Sequence, residues 1–145
     1  MRETLRISAR ADYAIRATAA IAAMPAEELV TAETLSASQD IPPRFLLMIL
    51  NDLRRAGIVE SRRGPGGGYR LRRPSTQLTL AQIITAVDVT PSRHTWDSPA
   101  GAREESPTTA RVHALWSALR ASLEETLERT TVADLLVGEH PTLYR

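Results

Sequence analysis

The side chains with most to offer chemically in this sequence are guanidinium groups. Between positions 44 and 73 stand eight arginines (Arg44, Arg54, Arg55, Arg62, Arg63, Arg70, Arg72 and Arg73) against two acids, Asp52 and Glu60. Inside that window, Gly64-Pro65-Gly66-Gly67-Gly68 gathers four of the chain's seven glycines into five residues. A guanidinium stays charged at physiological pH and presents a planar fork of donors that matches phosphate oxygens and the O6/N7 edge of guanine. This is the chemistry of recognising a polyanion, not of making or breaking bonds. The competing reading is a solvated basic face, and charge alone does not separate the two.

Bond-making chemistries lack their residues. The chain has 145 residues, no Cys and no Lys; all 18 basic residues are Arg. Disulfides, Cys-based zinc sites, thiolate-held iron–sulfur clusters, a phosphate-loop lysine and a Schiff-base lysine are therefore excluded. The three His stand far apart, and neither HExxH nor GxSxG occurs, so no enzyme is expected. His94, Asp97, Glu104, Glu105 and His113 carry N and O donors, but their spacing fits no ligand motif. No metal and no cofactor are expected. The longest stretch without a charge, Pro74–Val87, has 14 residues, short of the roughly 20 that span a bilayer. Arg and Glu scattered through residues 1–10 do not make a secretory signal. The expectation is a cytoplasmic protein without membrane partners.

Positioning the arginines falls to a mainly helical chain. Composition is that of a globular domain with an extension: 43% hydrophobic, 24% charged, mean hydropathy −0.20. Net charge is only +1, but residues 1–80 hold 12 Arg against 8 acids and residues 81–145 hold 6 against 9. Ile7, Ala11, Ala14, Ile15, Thr18, Ile21 and Ala22 recur at helical spacing and predict a helix over 7–23, capped by Ser8 and ended by Pro25. Thr31 caps a short helix over 32–38 with Leu35 inward, and 39–41 turns the chain. Pro42-Pro43 opens a helix over 42–56 with an apolar stripe of Phe45, Leu46, Ile49, Leu50 and Leu53, stopped by Gly57. Two helices joined by so short a turn have helix-turn-helix form.

The glycine cluster sharpens this. Residues 58–62 and 69–71 have strand character, and the glycines between them suit a tight hairpin tip. A basic hairpin directly after a helix-turn-helix is a wing, spanning about 58–73. A nucleotide loop is excluded by the missing Lys and by the strand that follows; a plain flexible turn is the alternative. A helix over 78–88 follows, then a 19-residue stretch, 89–107, long enough to be functional or disordered. The last long helix, 108–129, carries Val112, Leu115, Trp116, Leu119, Leu123 and Leu127 at spacings of three and four. That seam suits a partner copy, or else covers the chain's own core. A short helical turn is expected over 131–137. The fold class is mainly α with a small β wing: a winged helix-turn-helix plus a long C-terminal dimerisation helix.

Three stretches carry a resemblance: LRISARADYAIRA at 5–17, LRRAGIV at 53–59 and RGPGGGYRL at 63–71. Together they resemble the Rrf2 family of bacterial winged-helix transcription regulators, over about residues 5–137. Its members include an iron–sulfur cluster regulator, a nitric-oxide-sensing nitrite repressor and a cysteine-metabolism repressor. The resemblance implies a winged helix-turn-helix over 5–88 (helix-turn-helix about 32–55), a sensor loop at 89–107 and a dimerisation segment at 108–137. It implies a homodimer on a near-palindromic double-stranded operator, with a repressor role. Many members hold a cluster through three cysteines in that loop; this chain has none, so that mode of sensing does not carry over.

On this reading the 42–56 helix enters the major groove, leaving Arg44, Phe45, Leu47, Met48 and Asn51 outward or at the edge. Arg44 suits guanine. Leu47 and Met48 either touch thymine methyls or pack on a neighbouring helix. Family members often place Ser at the position of Arg44 and an acid at that of Leu47, so the operator is expected to differ. Arg63 resembles the family's minor-groove reader. Arg10, Arg54 and Arg62 are expected at phosphates, with an intrahelical partner as the alternative for Arg54 because Asp52 and Glu60 are near in sequence, and Gly64, Pro65, Gly66 and Gly67 are expected at the wing tip. His94, Trp96 and Trp116 are candidates for a small-molecule effector site; a protein effector is the alternative there. For the whole chain, the alternative is a winged-helix protein-interaction module without specific DNA binding.

Overall fold

The computed structural model describes residues 8–88 and 106–137. Its elements run α1 (Ala9–Ala22), α2 (Ala32–Gln39), α3 (Pro43–Arg55), β1 (Val59–Arg62), β2 (Gly68–Leu71), α4 (Leu80–Val87), α5 (Pro107–Arg129) and α6 (Val132–Val137). The architecture is mainly helical with one two-stranded antiparallel sheet, as the residue patterns predict. The His94 and Trp96 expectations, and most of the 89–107 segment, lie outside the described residues.

Helix α1 is the hub. The Ser8 hydroxyl accepts from the Ala11 amide and caps it. Its inner face is small: Ala11, Ala14 and Ala17 are at most 2% exposed. Small side chains let neighbouring backbones come close, and α1 packs against α2, α3, α4, α6 and β2. Thr18 is buried there, and its hydroxyl is satisfied by donating back to the Ala14 carbonyl.

The helix-turn-helix is built by local chemistry. Thr31 caps α2 through the Thr34 amide. Asp40 then turns the chain with φ 52°, in the left-handed region, and the Ile41 amide reaches back to the Ser36 carbonyl. Pro42 and Pro43 open α3 without need of a side-chain cap. At the far end Gly57, with φ 72°, lets the Ile58 amide bond to the Leu53 carbonyl and its own amide to Arg54. Those two bonds form a complete Schellman stop. The stripe of α3 that faces the core is Leu46, Ile49, Leu50 and Leu53, each at most 1% exposed. Phe45 does not belong to it: the ring is 56% exposed and lies 6.5 Å, tilted, from that of Tyr13 on α1.

Beyond the hairpin a 3-10 turn over Ser75–Gln77 precedes α4, so this helix starts at Leu80, two residues later than the periodicity predicts. Leu78 is spent on pairing instead: its carbonyl accepts from Val132, while the Leu80 amide donates to Thr130. This short bridge anchors the C-terminal end of α5 and turns α6 back onto α1, with Val132 fully buried. Helix α5 itself, 23 residues, packs on α4 and has no buried residue.

Candidate nucleic-acid interface

At 3.6 residues per turn, Arg44, Leu47, Met48, Asn51 and Arg55 project from the side of α3 opposite Leu46, Ile49, Leu50 and Leu53. Arg44, Leu47, Met48, Arg54 and Arg55 are exposed and Asn51 is half-buried. The flanks of the helix are tied down to α1. Phe45 leans on Tyr13, whose ring also lies under the Arg16 guanidinium at 5.1 Å. Arg16 in turn bonds Asp12 and the Gln39 carbonyl at the end of α2. Nearer the other end of α3, Arg10 pairs with Asp52. Arg10, expected at phosphate, is thus engaged in fixing the helix against α1.

The wing follows from the glycines. Strand register pairs Val59 with Leu71, Glu60 with Arg70, Ser61 with Tyr69 and Arg62 with Gly68. The tip closes with the Gly67 amide on the Gly64 carbonyl, and Gly64 and Gly66 have φ of 92° and 72°. A Cβ on Gly67 would sit 2.2 Å from the Arg62 carbonyl oxygen, and one on Gly68 would sit 2.6 Å from that of Val30. The second approach exists because Tyr69 exchanges two backbone bonds with Val30, of 2.8 and 2.9 Å. The base of the wing is thereby stapled to the residues that lead into α2. Residues 61–66 are all exposed.

Helix and wing enclose a cleft of about 280 Å³ lined by Asn51, Arg54, Ser61, Arg62, Arg63, Gly68 and Tyr69. Three arginines converge there. Arg54 is oriented by the Asn51 side-chain oxygen at 3.0 Å. The acids of the basic window are already neutralised, Asp52 by Arg10 and Glu60 by Arg70 across the strands. Arg44, Arg62 and Arg63 have no ion-pair partner among the described residues, so the positive field of this face is uncompensated. Ser61, Gly68 and Tyr69 were not among the sequence candidates. Two-residue alternation along the hairpin would have found the first and last, since they are cross-strand partners facing one side.

The seam expected on α5 is on the surface: Val112, Leu115, Leu119 and Leu123 are 40–54% exposed. Trp116 is half-buried and Leu127 packs on the core. No group of three or more potential metal ligands occurs among the described residues. No helix among them is long and apolar enough to cross a membrane.

Comparison with known proteins agrees with this geometry. The model of the Rrf2 family, described as iron-dependent transcriptional regulator, matches residues 7–138. An HTH-type transcriptional regulator of Mycobacterium tuberculosis is 39% identical over 137 residues, covering 94% of this chain and 84% of that protein. The HTH-type transcriptional regulator IscR of Cereibacter sphaeroides is 34% identical over 138 residues, covering 93% and 89%. Among solved structures, CymR, the global cysteine regulator of B. subtilis, superposes with a TM-score of 0.75 at 26% identity, covering 93% of this chain and 98% of that one. The iron in the family's description finds no thiolate here, because the sequence contains no Cys; a cluster of the cysteine-ligated kind does not fit these residues. The fold, the helix-turn-helix with its basic wing and the match along nearly the whole chain lead to one assignment: this protein belongs to the Rrf2 family of transcriptional regulators.

Proposed function

We propose that this chain binds a near-palindromic duplex operator as a homodimer and represses transcription by occupying it, without catalysing a reaction. The observation that carries the reading is the cleft between α3 and the wing, where Arg54, Arg62 and Arg63 converge beside the outward face of α3. Helix α3 is of a size that enters a major groove, and a glycine tip without side chains suits an adjacent minor groove edged by Arg63. Arg54 and Arg62 hold phosphates and set the register. Arg44, on the outward face of the first turn of α3, addresses a guanine edge.

Dimerisation through α5 is supported by its exposed aliphatic seam, which is not buried by any of the described residues. A two-fold pair of winged helices matches a two-fold operator. Occupancy is set by a small-molecule or protein effector instead of a cysteine-ligated cluster, with Trp116 on α5 and, from the sequence that precedes it, His94 and Trp96 as its contacts. The protein acts in the cytoplasm, where the duplex is.

Genomic footprinting of the tagged protein, followed by binding to the recovered duplexes over a salt series, tests this. The expected result is a set of sites with two-fold symmetry and a log affinity that falls steeply with log salt. Binding that is indifferent to sequence and nearly indifferent to salt would end the reading.

A further inference from the structure

The outward face of α3 carries more than charge. Leu47 and Met48 stand at its centre, 54% and 53% exposed, while the core beneath is completed by Leu46, Ile49, Leu50 and Leu53. No helix among the described residues covers them. Two large apolar side chains held half in water are unfavourable for the isolated molecule, and their surroundings narrow what can cover them. Arg44 precedes them on the same face, Arg55 follows, and Arg54 and the wing arginines line the adjoining cleft. An apolar partner helix would leave that ring of guanidinium groups facing a surface without anions. A duplex supplies both: phosphates for the ring and, on the floor of the major groove, the thymine C5-methyl as the apolar group among the base edges.

Resting on the operator-binding reading above, we infer that Leu47 and Met48 read thymine methyl groups, so that part of this chain's sequence preference is apolar. Phe45 is not a third reader. Its ring is turned toward Tyr13, and together with the Arg10–Asp52 pair it holds the helix so that the two neighbours point outward. Arg44 and the methyl readers then divide the work, a guanine edge being addressed by the fork and the adjoining thymine by van der Waals contact.

The test uses the full chain and a duplex enriched from a random library. Affinity is measured by fluorescence anisotropy for that duplex and for copies in which deoxyuridine, which lacks only the methyl, replaces one thymine at a time. One or two positions per half-site are expected at which uracil weakens binding about fourfold per methyl. In Leu47→Ala or Met48→Ala the penalty at the matching position disappears, while Arg63→Ala leaves it intact. Both alanine variants are at exposed positions and are expected to keep the parent melting temperature. An enriched duplex on which every uracil is neutral, or penalties that persist in both alanine variants, overturns the inference and leaves operator binding standing. Failure to enrich any duplex overturns both. A higher-order assembly that these two substitutions dissolve would place protein on this face and overturn the inference as well.

Discussion

Individual arginines on this surface do different jobs because their neighbours differ. Arg63 is exposed beside the glycine tip and has no ion-pair partner among the described residues, so its charge is available to a groove. Arg63→Ala is expected to cost roughly 1–3 kcal/mol on the preferred duplex, measured by electrophoretic mobility shift. Full affinity for that variant would count against the wing as a reader. Arg62 lies in the cleft; if it holds a phosphate as proposed, Arg62→Ala is expected to reduce the log–log salt slope by about 0.9 per half-site, with sequence preference retained. Arg10 contrasts with both. Its side chain is 36% exposed and paired with Asp52, so Arg10→Ala is expected to lower stability by about 0.5–1 kcal/mol in urea denaturation. A change in salt slope without a change in stability would show that it meets phosphate after all.

The elements owe their ends to a few backbone positions. Gly57 closes α3 and releases β1 in the direction that lays the wing beside the helix. Its φ of 72° is unfavourable for any residue with a Cβ, so Gly57→Ala is expected to destabilise the fold by about 1–2 kcal/mol, read from the shift of the denaturation midpoint at constant slope. At Gly67 the constraint is space instead of φ: a methyl would overlap the Arg62 carbonyl. Gly67→Ala is expected to distort the exposed tip, lowering duplex affinity about tenfold while the melting temperature moves within about 4 °C. Equal affinity would mean that the tip enters no groove. Asp40 occupies the corresponding left-handed position after α2, where a short polar side chain is tolerated.

For the molecule as a whole, α5 is where the proposed dimer is decided. It spans roughly 34 Å at 1.5 Å per residue and buries none of its 23 residues. Covering the bare half of Val112, Leu115, Leu119 and Leu123 contributes on the order of 1 kcal/mol apiece, which becomes substantial when two seams meet. Leu119→Glu is therefore expected to shift the mass in sedimentation velocity from two chains to one. Duplex affinity should fall with it, because a single winged helix holds half the contacts. A monomeric parent chain would remove the two-fold operator from the proposal.

Much of this was legible in the order of residues. Caps at Ser8 and Thr31, the stop at Gly57, the glycine tip and the apolar stripe of α3 are local signals, decided within a few residues by hydrogen bonding, φ preference and helical period. The absence of Cys and Lys settled which chemistries were out of reach. What sequence could not tell was which members of a helix face look at which neighbour. Phe45 reads as core by spacing, yet its contact is Tyr13, and Arg10 reads as a free cation, yet its partner is Asp52, 42 positions away. Nor does helical period reveal that Leu78 is drawn into pairing with Val132, or that Val30 staples the wing. Those outcomes depend on elements distant in sequence meeting in space: local chemistry determined each element, and only their packing decided which side chains remained to face a partner.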